Sequence, residues 1–330
     1  MTETLRRSVG EPLDEDGARA FQEAVRAITD AVNGFMQGKA DVVELAMTCL
    51  LAEGHLLLED VPGVGKTSLA RSLAAALGIP WSRIQFTPDL LPSDVTGVSV
   101  FHSDSNNFVF HPGPIFANVV LADEINRASP RTQSALLEVM EERQVTVDGQ
   151  AYPAPPPFLV IATQNPVEMD GTYPLPEAQL DRFLLKTTVG YPDLEAEVRV
   201  LQAHHDRQGL PAVNQVATVD GIRTLIAQAA RVHVGDNVLT YMAEVVQFTR
   251  SMPQLRLGSS PRGALGLLRA SRVRAALQGR PYVVPGDVQV LAEPVLGHRI
   301  ILSPSFEASG GTASDAVREA IAGVPAPPHP

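Results

Sequence analysis

Between residues 55 and 190 short apolar runs recur at regular intervals, separated by stretches with helical spacing. The runs His55–Leu58, Arg83–Phe86, Val119–Ala122, Phe158–Ala162 and Leu184–Val189 are too short for helices, and Val119–Ala122 is apolar throughout, the mark of a strand buried on both faces. Strands alternating with helices predict a parallel five-stranded sheet flanked by helices. Two segments break the alternation. Val98–Phe110 alternates apolar and polar residues around a Ser-Asp-Ser-Asn-Asn turn, and Gln144–Tyr152 does so around Asp148-Gly149; each predicts an inserted β-hairpin.

Upstream, Ala18–Asn33 and Ala40–Glu53 carry helical periodicity, whereas the polar residues 1–16 are expected to be disordered. After Gly190-Tyr191-Pro192 the pattern changes. Leu194–Gln208, Asp220–Ala230, Asp236–Ser251 and Pro261–Leu277 read as helices, with another starting at Pro285-Gly286-Asp287. The expected organisation is an α/β domain over 17–191, a small all-helical domain over 192–302 and a flexible tail over 303–330, where Ser, Gly, Ala and Pro dominate.

The join between the first strand and its helix carries the chemistry. Asp60-Val61-Pro62-Gly63-Val64-Gly65-Lys66-Thr67, followed by Ser68, is a glycine loop between an apolar strand and a helix-forming run. Residues without side chains let backbone N–H groups wrap a phosphate, and the helix N-terminus adds a positive dipole end. Lys66 is expected to reach the β- and γ-phosphates and the Thr67 hydroxyl to hold Mg²⁺. Asp60 stands where the generic loop has glycine. At the carboxyl end of Val119–Ala122 come Asp123, placed as the second metal ligand, and Glu124, placed to orient and deprotonate water. Loop and acids together carry the signature of a nucleotide hydrolase.

Composition narrows the setting. The 330 residues, 45% hydrophobic and 19% charged, suit globular domains, and no apolar run approaches the ~18–20 residues that span a bilayer. One cysteine, Cys49, rules out a disulfide framework, and the start lacks the apolar centre of a signal peptide; a cytoplasmic location is expected. A net charge of −11 argues against nucleic acid and anionic membranes as partners. Arg250, Arg256, Arg262, Arg269, Arg272, Arg274 and Arg280 crowd one stretch, but without interleaved aromatics they read as a solvated or inter-subunit helix face. His204-His205 reads as part of an ordinary solvated helix.

Other residues stand near the same sheet edge. Asn165, after Phe158–Ala162, can donate to a γ-phosphate or to the attacking water, or simply form a turn before Pro166. Arg182 either pairs with Asp181 or another carboxylate, or serves the chemistry. Ser259-Ser260-Pro261 looks like an N-cap and first turn, where the Arg262 cation opposes the helix dipole and needs an anionic partner, for which a nucleotide phosphate is suited.

These features, with Gln85–Asp94, Leu121–Ala128, Thr132–Glu138, Ala162–Pro166 and Gly171–Phe183, resemble the MoxR family of AAA+ ATPases over about residues 40–300. Asp60 agrees with that family's loop. The resemblance implies Asn165 as sensor 1, Arg182 as an arginine finger serving a neighbouring subunit, and Arg262 as sensor 2; Arg127 and Arg131, which follow the acids closely enough to face a subunit interface, rank behind Arg182. It further implies a P-loop core with a helical lid, a ring oligomer, expected to be a hexamer, chaperone-like action on client proteins, and a partner with a von Willebrand factor A domain. A metal-chelatase ATPase subunit, a P-loop small-molecule kinase and a non-hydrolysing scaffold are the alternatives.

Overall fold

The computed structural model describes residues 11–328, apart from 37, 62, 105, 166–171, 193 and 206–211. The chain begins with α1 (Glu15–Asn33) and α2 (Ala40–Leu51) and enters β1 (Leu56–Glu59), α3 (Lys66–Leu77), β2 (Trp81–Gln85) and the short α4 (Pro92–Thr96). A hairpin of β3 (Gly97–His102) and β4 (Asn107–Pro112) precedes β5 (Val119–Asp123) and α5 (Pro130–Glu142). A second hairpin, β6 (Gln144–Val147) and β7 (Gln150–Pro153), precedes β8 (Leu159–Gln164), α6 (Glu177–Leu180) and β9 (Leu185–Thr187). Among the described residues the elements that follow are helices apart from two short strands: α7 (Leu194–His205), α8 (Val219–Ala230), α9 (Asp236–Thr249), β10 (Leu255–Leu257), α10 (Pro261–Leu277), α11 (Pro285–Leu296), β11 (Ile301–Leu302), α12 (Pro304–Ala308) and α13 (Ala313–Gly323).

The sheet is five-stranded in the order β2-β5-β8-β1-β9, and each neighbouring pair is parallel. The three central strands, β5, β8 and β1, are apolar at consecutive positions because both of their faces are covered. Leu56, Leu58, Val119, Leu121, Leu159 and Ile161 join the core made with α1, α2 and α3, while Leu57, Val120, Ala122, Val160 and Ala162 join the core against α5. The first core runs on into the lid, taking in Leu225 of α8, Val245 of α9 and Leu267 of α10. The lid therefore shares apolar interior with one face of the sheet.

Three expectations need correction. Part of the segment 1–16 is ordered: Asp14 caps α1, its Oδ1 accepting from Gly17 N at 2.7 Å, and Leu13 is buried; residues 1–10 lie outside the described residues. The span from 303 is not a flexible tail up to Val324. Ser303 caps α12, and Thr312 and Asp315 form a capping box that starts α13, whose Ala316, Val317 and Ala320 pack against α9 and α11. Small residues at helical spacing bury well, and composition alone conceals that. The helical domain also holds the antiparallel pair β10–β11, too short to show alternation.

Candidate active site

The loop after β1 turns through Gly63 at φ 86° and Gly65 at φ 100°, left-handed conformations that favour glycine, and α3 starts at Lys66. Lys66 is buried, and its Nζ donates to the carbonyl of Asp60 at 2.8 Å. Desolvation lowers its pKa, while the carboxylates of Asp123, Asp60 and Glu124 act to raise it. Gly63, Gly65, Lys66, Thr67, Ser68, Arg83, Asp123 and Glu124 line one recess.

The acids stand at the carboxyl end of β5, which pairs with β2 so that Gln85 lies opposite Asp123. Asp123 is buried. Its Oδ1 accepts from Thr163 Oγ1 at 2.7 Å, and its Oδ2 accepts from Arg83 Nη2 at 2.6 Å and Nε at 3.1 Å. Glu124 sits at φ 57°, a turn held by its own N–H donating to Thr163 Oγ1 at 2.8 Å. Gln85 Nε2 and Arg127 Nη1 both donate to Glu124 Oε2, at 2.9 and 3.1 Å, and Arg83 Nη2 donates to Gln85 Oε1 at 2.7 Å. Arg83, Gln85 and Thr163 thus connect the two acids. None was singled out from sequence; the signal was their place on strands flanking β5.

The donor set suits a small hard cation. The Thr67 hydroxyl and the Asp123 carboxylate share the recess and would hold such a cation; Arg83 holds Asp123 Oδ2. Two protein oxygens with phosphate and water completing the shell is the usual pattern for Mg²⁺. Among the described residues no cluster of three or more His, Cys, Asp and Glu forms a metal site of another kind.

The remaining candidates divide. Asn165 follows β8 directly and is buried at the carboxyl end of the sheet. Arg182 and Arg262 do not line the phosphate recess; both line a second cavity with Glu141, Arg143, Arg269 and Arg299. Their shared partner is Glu141, with Arg182 Nε 3.0 Å from Oε2 and Arg262 Nη2 2.6 Å from Oε1. The anion that offsets Arg262 in this state is therefore a carboxylate of the same chain. Asp181 pairs instead with Arg299, at 2.8 Å, and accepts from Ser260 Oγ at 2.9 Å. Ser260 is the expected cap, accepting from Arg262 N at 3.1 Å. Arg256, Arg274 and Arg280 also find carboxylates of this chain, Glu177, Glu44 and Asp287.

Among the described residues of the expected loop, Asp60, Val61 and Val64 do not line the recess. The Asp60 side chain is held elsewhere: its Oδ2 accepts from Val189 N and Gly190 N at 2.8 and 2.5 Å, and its Oδ1 from Val61 N at 2.8 Å. A carboxylate cannot accept from a phosphate, and these amides satisfy it. Pro62 lies outside the described residues, as do Pro166, Gly171 and the side chains of His204 and His205. Arg127, ranked as an interface candidate, is paired with its own Glu124, and Arg131 is exposed at the start of α5.

Residues 55–185 match the family model of ATPases associated with various cellular activities, and residues 247–320 match the AAA lid domain. Chaperone MoxR1 of Mycobacterium tuberculosis is 44% identical over 303 residues, covering 88% of this chain and 79% of the relative. The chain belongs to the MoxR family of AAA+ ATPases. An uncharacterized protein of Bacillus subtilis, YeaC, shares 48% identity over 93% of this chain and 98% of its own. The crystal structure of a Cytophaga hutchinsonii protein, described as a candidate ATPase, superimposes with a TM-score of 0.89 at 35% identity, covering 95% and 98% of the two chains. The recess thus sits in an AAA+ core at the carboxyl ends of β1 and β5, and the ion pair of Arg262 with Glu141 joins that core to the AAA lid.

Proposed function

We propose that this MoxR-family protein hydrolyses ATP with Mg²⁺ as a ring oligomer, expected to be a hexamer, and uses the cycle to remodel or activate client proteins. The observation that carries the proposal is the convergence of the Gly63–Ser68 loop, Lys66, Asp123 and Glu124 on one recess. Backbone N–H groups of the loop and the buried Lys66 ammonium hold the β- and γ-phosphates. Thr67 and Asp123 hold Mg²⁺, which when bound neutralises charge on the phosphoryl oxygens. Glu124 accepts the proton of the attacking water; Oε1 is the oxygen that carries neither the Gln85 nor the Arg127 bond. Asn165 donates to the γ-phosphate or to that water.

Arg182 completes a neighbour's site, with Arg262 beside it. The position of Arg182 on Glu141, away from its own chain's recess, supports its action on another subunit, and Arg262 is the sensor 2 residue of this reading. Chaperone MoxR1 is named for chaperone activity, which supports the remodelling role, and a von Willebrand factor A domain protein is the expected partner. The hairpins offer the surface for clients: Val98, Val100, Phe101, Phe108 and Val109 are exposed on β3–β4, which Phe110 anchors to β6–β7 by stacking on Tyr152 with ring centroids 4.0 Å apart.

Calorimetry and phosphate release test the assignment. Lys66→Ala abolishes ATP binding, and Glu124→Gln binds ATP but does not turn it over. Full-strength binding by Lys66→Ala removes the loop assignment, and normal hydrolysis by Glu124→Gln removes the base.

A further inference from the structure

A single ammonium, Lys39 Nζ, donates to three successive carbonyls, Val189 O at 2.7 Å, Gly190 O at 2.9 Å and Tyr191 O at 2.8 Å. The amides of Val189 and Gly190 donate to Asp60 Oδ2. Every backbone polar group of Val189 and Gly190, and the Tyr191 carbonyl, is thereby held by a charged side chain. These residues follow β9 and lead to α7, so they are the link from the sheet into the lid. Gly190, at φ 67°, gives that link a left-handed turn, and the nearest atom to an added Cβ there would be Lys39 Nζ itself, at 3.9 Å.

Asp60 is also wired to the phosphate loop. Its carbonyl accepts from Lys66 Nζ at 2.8 Å, and its N–H donates to Gln164 O, at the end of β8, at 3.0 Å. Three residues before Lys39 in the chain, Met36 approaches the phosphate loop, with its Cε 3.6 Å from where a Gly65 Cβ would stand. One residue therefore bonds the phosphate-binding lysine through its carbonyl and the lid linker through its carboxylate. A glycine at position 60, as the generic loop has, makes only the first contact.

We infer that Lys39 and Asp60 form a pin that couples the phosphate loop to the position of the lid, as positioning residues for the proposed ATPase. A γ-phosphate competes with the Asp60 carbonyl for the Lys66 ammonium. When Lys66 turns to the phosphate, the backbone at Asp60 loses that bond, and the carboxylate passes the change to Val189 and Gly190. Lys39 keeps the linker a single rigid unit, so the change moves α7 and the helices beyond it rather than dissipating in the link.

The inference rests on the ATPase reading, and a reporter of lid position separates the two. Dyes on Arg71→Cys in α3 and Thr240→Cys in α9, both exposed, report the core-to-lid distance by energy transfer with and without Mg-ATP, in a Glu124→Gln background that holds the nucleotide. In the intact hinge ATP shifts the transfer efficiency. Lys39→Met should bind ATP within about threefold of the parent yet lose the shift, and in the hydrolysing background kcat should fall about tenfold with KM little changed. Lys39→Arg, which keeps the charge, should recover most of the shift. Asp60→Asn should lose it too, and the double variant should be no worse than either single one, because both groups grip the same link. An undiminished shift and kcat in Lys39→Met overturn the inference. So does a parallel loss of ATP affinity and melting temperature, which marks a static brace. Failure of the parent protein to bind ATP overturns the ATPase reading, and the pin with it.

Discussion

Thr163 is the residue on which the two acids depend most, and Thr163→Val isolates its hydroxyl while keeping the side chain's shape. The residue is fully buried on β8, its Oγ1 accepting from Glu124 N at 2.8 Å and donating to Asp123 Oδ1 at 2.7 Å. Valine leaves the Glu124 N–H without its acceptor, at a cost of about 1–3 kcal/mol, and removes a charge-assisted bond worth about 1.5–3 kcal/mol. Asp123 keeps Arg83, which limits the second loss. A net destabilisation of about 3 kcal/mol is expected. The same amide holds Glu124 in a left-handed turn that costs an L-residue about 1–2 kcal/mol, so the turn relaxes once released. Displacing the base by about 1 Å lowers turnover by about 10²-fold. Urea denaturation without nucleotide reads the first quantity and steady-state phosphate release the second. Thr163→Ser, which retains the hydroxyl, should stay within about 1 kcal/mol of the parent and keep most of its turnover. A Thr163→Val protein within about 0.5 kcal/mol of the parent and equally active would refute the reasoning.

Acid should weaken the fold through His55. Its Nδ1 accepts from Val160 N at 3.0 Å, so Nε2 donates to Met140 O at 3.1 Å, and burial holds the neutral ring's pKa down, from the usual 6.5 to about 4. A pKa lower in the folded chain means stability that is complete above about pH 6.5 and lost as pH falls toward 4, worth about 3 kcal/mol in all; His298, also lowered by burial, acts in the same sense. Urea midpoints at pH 7.5, 6 and 5 should fall in that order, and less steeply in His55→Asn; midpoints independent of pH contradict the assignment. On the β3–β4 hairpin, Phe101→Ser with Phe108→Ser should leave basal hydrolysis and melting temperature unchanged, because both rings are exposed, while abolishing stimulation by a client. Loss of basal hydrolysis would instead place the hairpin within the catalytic machinery.

Much of this architecture could be read from local pattern. Val119–Ala122 is apolar at every position because both sheet faces are covered, and Gly63, Gly65 and Lys66 carry their chemistry in adjacent residues. Even the Ser260 cap was legible, since a cap is a contact between near neighbours in sequence. What escaped lies across the chain. Glu141 gathers Arg182 and Arg262 from positions far apart, and Thr163 meets Glu124 only because β8 lies beside β5. Asp60 was assigned to the phosphate loop by its place in the motif, yet its carboxylate serves the linker at Val189 and Gly190. The helix α13 was missed for another reason: Ala316, Val317 and Ala320 make a buried stripe of small residues inside a segment whose composition suggests a flexible tail.

The central claim is that one subunit's arginine completes another's site, and mixing two inactive variants tests it most directly. A guanidinium stays charged and presents a rigid fork of donors suited to charge on a transferring phosphoryl group. Arg182→Ala keeps the loop, Asp123 and Glu124, so it should bind ATP almost normally and assemble, but hydrolyse about 10³-fold or more slowly. Lys66→Ala has the opposite defect: its own recess is dead while its Arg182 remains. Titrating one variant into the other, with subunit exchange followed by a labelled chain, is predicted to restore phosphate release in proportion to the pairs in which an intact recess meets an intact Arg182. No recovery at any ratio, with exchange verified, would contradict the account and leave Arg182 a partner of Glu141 within its own chain.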